Sequence, residues 1–115
     1  MKLNLIVIRT SNPEELKSQY EILGLQFEYH RHGKGPFHYA SEHEGVVFEI
    51  YPLTKSMIQA DSSLRLGFEV EGLKEKMEYI QKSNWIVKSE LKMMDWGEVA
   101  VIQDLDGRKV EIKVK

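Results

Sequence analysis

The chain has 115 residues, 42% of them hydrophobic and 30% charged, with a formal net charge of −2 and no cysteine. That length suits one domain with one real core. The charge excludes the basic footprint of a nucleic-acid binder, and the missing cysteine excludes a disulfide scaffold and thiolate chemistry.

The opening MKLNLIVI is apolar for only a few residues, far short of the roughly 20 that span a bilayer. It carries no cleavage site, so a cytoplasmic protein without membrane partners is expected. Leu3–Ile8 reads as a short strand buried on both faces. In SNPEEL, Asn12 suits an N-cap, Pro13 the first helical position and Glu15 a capping box. Leu16, Tyr20 and Leu23 then recur at helical spacing, and Gly24 can close the helix in the left-handed conformation. Leu25, Phe27 and Tyr29 alternate with Gln26, Glu28 and His30, the pattern of a half-buried strand. HGKGP (His32–Pro36) is a loop, and Phe37–Ser41 and Val46–Tyr51 are strands around Glu44-Gly45.

The second half repeats that order. Leu64–Val70 is a strand, Leu73, Met77 and Ile80 mark a helix, and Asn84 stands where Gly24 stood. Trp85–Leu91 is a strand, MMDWGE a loop, and Glu98–Gln103 and Arg108–Lys113 a closing hairpin. Ser41–Ile50 (SEHEGVVFEI) echoes Gln103–Ile112 (QDLDGRKVEI), with Gly45 meeting Gly107 and Glu49-Ile50 meeting Glu111-Ile112. A shared order of five elements points to duplication. The expected fold is α+β: two tandem βαβββ modules forming a curved mixed sheet around a cleft, with the helices outside. The modules are residues 1–52 and 64–115 of a single 115-residue domain, joined by linker 53–63. Strand alternation sends Phe48, Ile50, Val110 and Ile112 to the helices and Glu49 and Glu111 to the cleft.

The paired modules, the N-P-E-E-L…Y-x-x-L-G-L first helix and the D-L-D-G-R-K-V-E-I terminal hairpin resemble the vicinal oxygen chelate superfamily. That group includes glyoxalase I, extradiol dioxygenases, fosfomycin-resistance enzymes and bleomycin-resistance proteins. The resemblance implies metal-ligand positions on the first and last strands of each module. Here they hold Leu5, Glu49, Arg65 and Glu111. Two carboxylates are too few for a catalytic divalent site, and a guanidinium cannot coordinate. No metal or other cofactor is therefore expected, a divalent metal being the alternative. Arg65 is expected to act as the counter-charge of the two carboxylates.

His30 and His32 lie two apart and could begin a metal site, but their strand's apolar side is Leu25, Phe27 and Tyr29, so a solvated strand end is expected. His38 depends on the turn at Glu44-Gly45. A type I turn with a glycine bulge pairs Tyr39 with Glu49 and brings Phe37 and Tyr39 into the cleft. A two-residue turn instead pairs Ala40 with Glu49 and sends His38 inward. The Asp-x-Asp-Gly of the homologous hairpin favours the bulge. Leu5, Val7, Arg9, Phe37, Tyr39, Tyr51, Arg65 and Val101 are thus expected to line a ligand site. Met93, Met94 and Trp96 suit a lid or a subunit interface. The expected function is binding of a small molecule in the cleft, without metal, by a homodimer. The alternative is a metal-dependent lyase, isomerase or dioxygenase in which Glu49 and Glu111 take part.

Overall fold

A computed structural model describes all 115 residues. It contains two βαβββ modules in tandem. Two compact units separate in it, Met1–Glu21 with Leu25–Asp61, and Ile22–Gly24 with Ser62–Lys115.

The first module runs β1 (Leu5–Thr10), α1 (Pro13–Ile22), β2 (Glu28–His30), β3 (His38–His43) and β4 (Val46–Pro52). Its mixed sheet has the order β1-β4-β3-β2, with β1 parallel to β4 and the other pairs antiparallel. Asn12 caps α1: its Oδ1 accepts from the Glu15 N–H at 3.2 Å, and its Nδ2 donates to Glu15 Oε2 at 2.8 Å. The first bond satisfies one helix-terminal donor, but the expected capping box is not completed, because the Asn12 N–H donates to Thr10 Oγ1 at 3.2 Å and Glu15 takes the Asn12 side chain instead. The periodic residues Leu16, Tyr20 and Leu23 are buried. Tyr20 meets Phe48 with ring centroids 5.3 Å apart, which shows which side of the sheet α1 covers. Ile8 and Ile50 are buried as well. Each such side chain removed from water contributes about 1.5–3 kcal/mol.

β1 departs from the expected strand in one respect. It begins at Leu5, and only one of its faces is covered: Ile8 and Thr10 are buried, while Leu5 and Val7 are 50% and 39% exposed. An apolar run alone does not distinguish one buried face from two. β2 is also shorter than its alternation suggested.

The second module runs β5 (Leu66–Val70), α2 (Leu73–Lys82), β6 (Ile86–Met94), β7 (Gly97–Gln103) and β8 (Lys109–Val114), in the sheet order β5-β8-β7-β6. Leu73, Met77 and Ile80 are the buried face of α2, as their spacing predicted. Two local expectations are corrected. Asn84 does not adopt the left-handed conformation; Ser83 ends the helix instead, its hydroxyl donating to the Ile80 carbonyl at 2.6 Å and accepting from the Trp85 N–H at 3.1 Å. The expected MMDWGE loop is mostly strand, because Met94 pairs with Gly97 around a two-residue turn at Asp95-Trp96.

The two echoing hairpins turn differently. In the second, the Gly107 N–H donates to the Asp104 carbonyl at 3.0 Å and the Asp104 N–H to the Arg108 carbonyl at 2.9 Å, with Gly107 at φ 90°. This is the expected three-residue turn with a glycine bulge. In the first, His43 pairs with Val46, and Glu44 and Gly45 both have positive φ, 52° and 83°. That is a two-residue turn of the mirror-image type. The bulge expected there is corrected, and with it the strand phase: Ala40 lies opposite Glu49, and Tyr39 opposite Ile50.

Candidate functional site

Cross-strand partners share a face, so the register of the first module lays out its uncovered side row by row. Leu5 neighbours Val47, which neighbours Glu42. The next row reads Val7, Glu49, Ala40 and Glu28. The row beyond brings Arg9 to Tyr51 on one pair of strands and His38 to His30 on the other. Ring contacts join the two halves of that row. The Arg9 guanidinium lies 4.9 Å from the Tyr51 centroid, Tyr51 stacks on His38 at 4.1 Å and 9°, and His38 meets His30 at 4.5 Å. Arg9 is steadied by a 3.0 Å hydrogen bond to the Pro52 carbonyl.

His38 is the pivot of this face. It is buried, and its Nδ1 lies 3.2 Å from the Pro36 carbonyl oxygen. A carbonyl can only accept, so Nδ1 carries the hydrogen. Its Nε2 lies 3.2 Å from Glu49 Oε2, yet the contact lacks hydrogen-bond geometry. Glu49 itself is only 8% exposed. His32, on the loop after β2, completes the group: its ring is 5.1 Å from His30 and 5.2 Å from His38. One ligand atom from each of His30, His32, His38 and Glu49 lies within 4.8 Å of all the others. These four are the residues of the first module able to hold a metal. Burial and the Glu49 charge push the Tyr51 hydroxyl pKa above its ordinary value, against a smaller lowering by Arg9.

The uncovered face opens a concavity of about 1040 Å³ whose lining includes Leu5, Val47, Ala40, His30, His32 and Glu49. Of the residues expected in a ligand site, Leu5, Val7, Arg9, Glu49 and Tyr51 share this side of the sheet. Phe37 and Tyr39 do not. The two-residue turn puts them on the helix side, where both line a smaller hollow of about 440 Å³ with Asn12 and Pro13. The Lys17 ammonium of α1 lies 5.3 Å from the Tyr39 ring.

The remaining expected residues belong to the second module. Glu111 is half-buried, with Gly67 and Val101 as its cross-strand neighbours. Arg65 is exposed, precedes β5 and makes no ion pair. β5 begins at Leu66, so Arg65 lies just before the strand expected to carry it, and no ion pair joins it to Glu111. Sequence reasoning weighed the histidines but preferred a solvated strand end for His30 and His32 and the helix side for His38. His30 is half-buried against His38 rather than a solvated strand end, and of these three only His32 is exposed. The available signal was Glu44-Gly45 before a Val-Val run, a faint one because Asn or Asp is the usual partner of that glycine.

No family model matches the sequence, and no curated protein does. Solved structures do match. The antibiotic-binding protein TnmS3 from Streptomyces sp. CB03234 superposes with a TM-score of 0.74 at 19% identity, over 99% of this chain and 95% of that one. A structure described as a possible glyoxalase from Bacillus cereus gives 0.70 at 12% identity, over 98% of each chain. This chain has the vicinal oxygen chelate fold. TioX from Micromonospora sp. ML1 shares it, with a TM-score of 0.71 at 13% identity over 97% of both chains. One scaffold can carry both binding proteins and enzymes, so the side chains of the site, not the fold, decide function.

Proposed function

We propose that the chain binds a small organic molecule on the uncovered face of its first sheet, in the manner of the bleomycin-resistance-like binding proteins that share its fold. The observation that carries this is the concavity of about 1040 Å³, which sets exposed apolar Leu5 beside His30, His32 and Glu49. Along the same face, exposed Val7 adjoins the stacked Arg9, Tyr51 and His38. Ligand sites pair apolar walls with a few placed polar groups, and a flat π-rich ligand would extend the stack. This reading calls on no metal. It includes a homodimer, in which a second copy covers the exposed apolar side chains of Met93 and Trp96, and a cytoplasmic location. Calorimetry with a panel of planar aromatic antibiotics tests it. Binding in the micromolar range that Leu5→Glu abolishes is expected. No binding across the panel, or binding indifferent to Leu5→Glu, overturns it.

A second reading, a metal-dependent lyase, isomerase or dioxygenase, is favoured by the histidines gathered at Glu49. Turnover on a chelating substrate, lost in Glu49→Gln and Glu111→Gln, would support it.

A further inference from the structure

We propose that His30, His32, His38 and Glu49 form a binding site for a transition-metal dication of the zinc kind, contained entirely within the first module. Of the four positions implied by the family resemblance, this site uses Glu49 alone. It lies on the face proposed above for the organic molecule and shares His30, His32, His38 and Glu49 with it, but it needs no organic ligand, so metal titration tests it separately.

The first argument is the tautomer. The Nδ1 hydrogen of His38 points at the Pro36 carbonyl, so in the neutral ring Nε2 presents a lone pair. A carboxylate oxygen of Glu49 lies 3.2 Å from that nitrogen, off the axis of the lone pair, in a place where both residues are buried and no hydrogen bond joins them. Two electron-rich atoms brought together out of water repel each other unless something positive lies between them. A metal ion there would turn the repulsion into two bonds. The Pro36 carbonyl would then play the outer-shell part usual for ligating histidines, holding the ring and the tautomer.

The donor set narrows the ion. Three imidazoles and one carboxylate suit zinc, nickel, cobalt or copper(II). Magnesium and calcium prefer all-oxygen shells, and copper(I) prefers sulfur. Geometry agrees. Bonds of about 2.0–2.1 Å place tetrahedral ligand atoms about 3.3 Å apart. The His38–Glu49 pair already has that spacing at 3.2 Å. The full set lies within 4.8 Å, so closing it asks for a movement of about 1.5 Å at most. The exposed partner, with room to make that movement, is His32 on its loop, while Tyr51 stacking and burial hold His38 in place.

The test is a titration of the full chain, stripped with a chelator, with zinc and then with magnesium, without organic ligand. One zinc per chain at micromolar affinity or better, with no response to magnesium, is expected. His32→Asn should weaken zinc binding by at least about tenfold and leave the melting of the metal-free protein unchanged, and Glu49→Gln should weaken it similarly. Because substituting buried His38 can unfold the chain, nitrogen NMR of the intact protein provides the second measurement. Zinc should move the His38 Nε2 resonance while the Nδ1 hydrogen stays in place. No stoichiometric binding up to about 100 μM zinc, or full binding by a His30→Asn/His32→Asn variant, overturns the proposal. So does a protonated His38 Nε2 that zinc leaves unmoved.

Discussion

The two modules share a strand order, and their closing hairpins differ by one residue in the turn. Gly45 and Gly107 fill equivalent places, and Glu49 and Glu111 follow each at the same distance. Yet Glu49 faces Ala40 across the ladder, and the gapless echo would place Ile102 opposite Glu111, where Val101 stands instead. Since side chains alternate with period two, one extra turn residue exchanges the faces of the preceding strand. The first module thereby turns His38 toward Glu49. The second keeps its polar chemistry in the turn itself. Buried Arg108 donates to Asp104 at 3.2 Å and Asp106 at 3.1 Å, and Asp104 Oδ1 accepts from the N–H groups of Asp106 and Arg108 at 2.9 and 3.1 Å. One hairpin exposes a site, and the other is locked by its own loop.

Substitutions in the locked turn should have the largest effect. Asp104→Ala leaves Arg108 buried with one partner fewer and removes two backbone acceptor contacts, so chemical melts should show a loss of about 3–5 kcal/mol. A cost below about 1 kcal/mol would mean the second hairpin is no more locked than the first. Gly45→Val should come next. A β-branched residue at φ 83° costs about 1–2 kcal/mol or more, and any compensating slip of β3 would show as lost zinc response.

The turn can also be improved, which sharpens the contrast. Glu44 holds φ 52° without being glycine, and Asn tolerates that region better. Glu44→Asn should raise stability by about 0.5–1 kcal/mol. The equivalent change in the other hairpin, Asp106→Asn, removes a charge from Arg108 and should lower it. Equal signs would break the comparison. The smallest effect concerns pH. The Tyr51 hydroxyl titrates above its ordinary value in the fold, so the native state holds that proton longer than the unfolded chain. Its contribution is complete below the ordinary tyrosine value of about 10 and is lost as pH rises through the raised one. Alkaline melts of Tyr51→Phe should be flatter there than those of the parent. An identical slope would remove Tyr51 from the account.

Much of this was legible beforehand. The order of the elements, the Asn12 cap and the buried faces Leu16–Tyr20–Leu23 and Leu73–Met77–Ile80 follow from local chemistry repeated in one window, where each residue reinforces the next. The histidine site was not, because its assembly rests on a choice between two turns that nearly the same residues can make. Glu-Gly is a weak form of the mirror-image signal, and the strong Asp-x-Asp-Gly of the second hairpin argued for the wrong analogy. The resemblance drew attention to Leu5 and Arg65, whereas His30, His32 and His38 lie on β2, on the loop after it and on β3. Loop and strand-end histidines also carry no periodic signature that separates a ligand from a solvated side chain.

The parallel pairing of β1 with β4, and of β5 with β8, has a kinetic consequence. Each opening strand meets a partner roughly forty residues further along the chain, so closing that loop costs entropy before any contact repays it. The hairpins β3–β4 and β7–β8 need only local closure and can form within microseconds. The strand synthesised first in each module should therefore be among the last to dock. Until then Leu5 and Val7 travel with Ile6 and Ile8 as an unpaired apolar segment, the period in which the growing chain is most exposed to wrong partners.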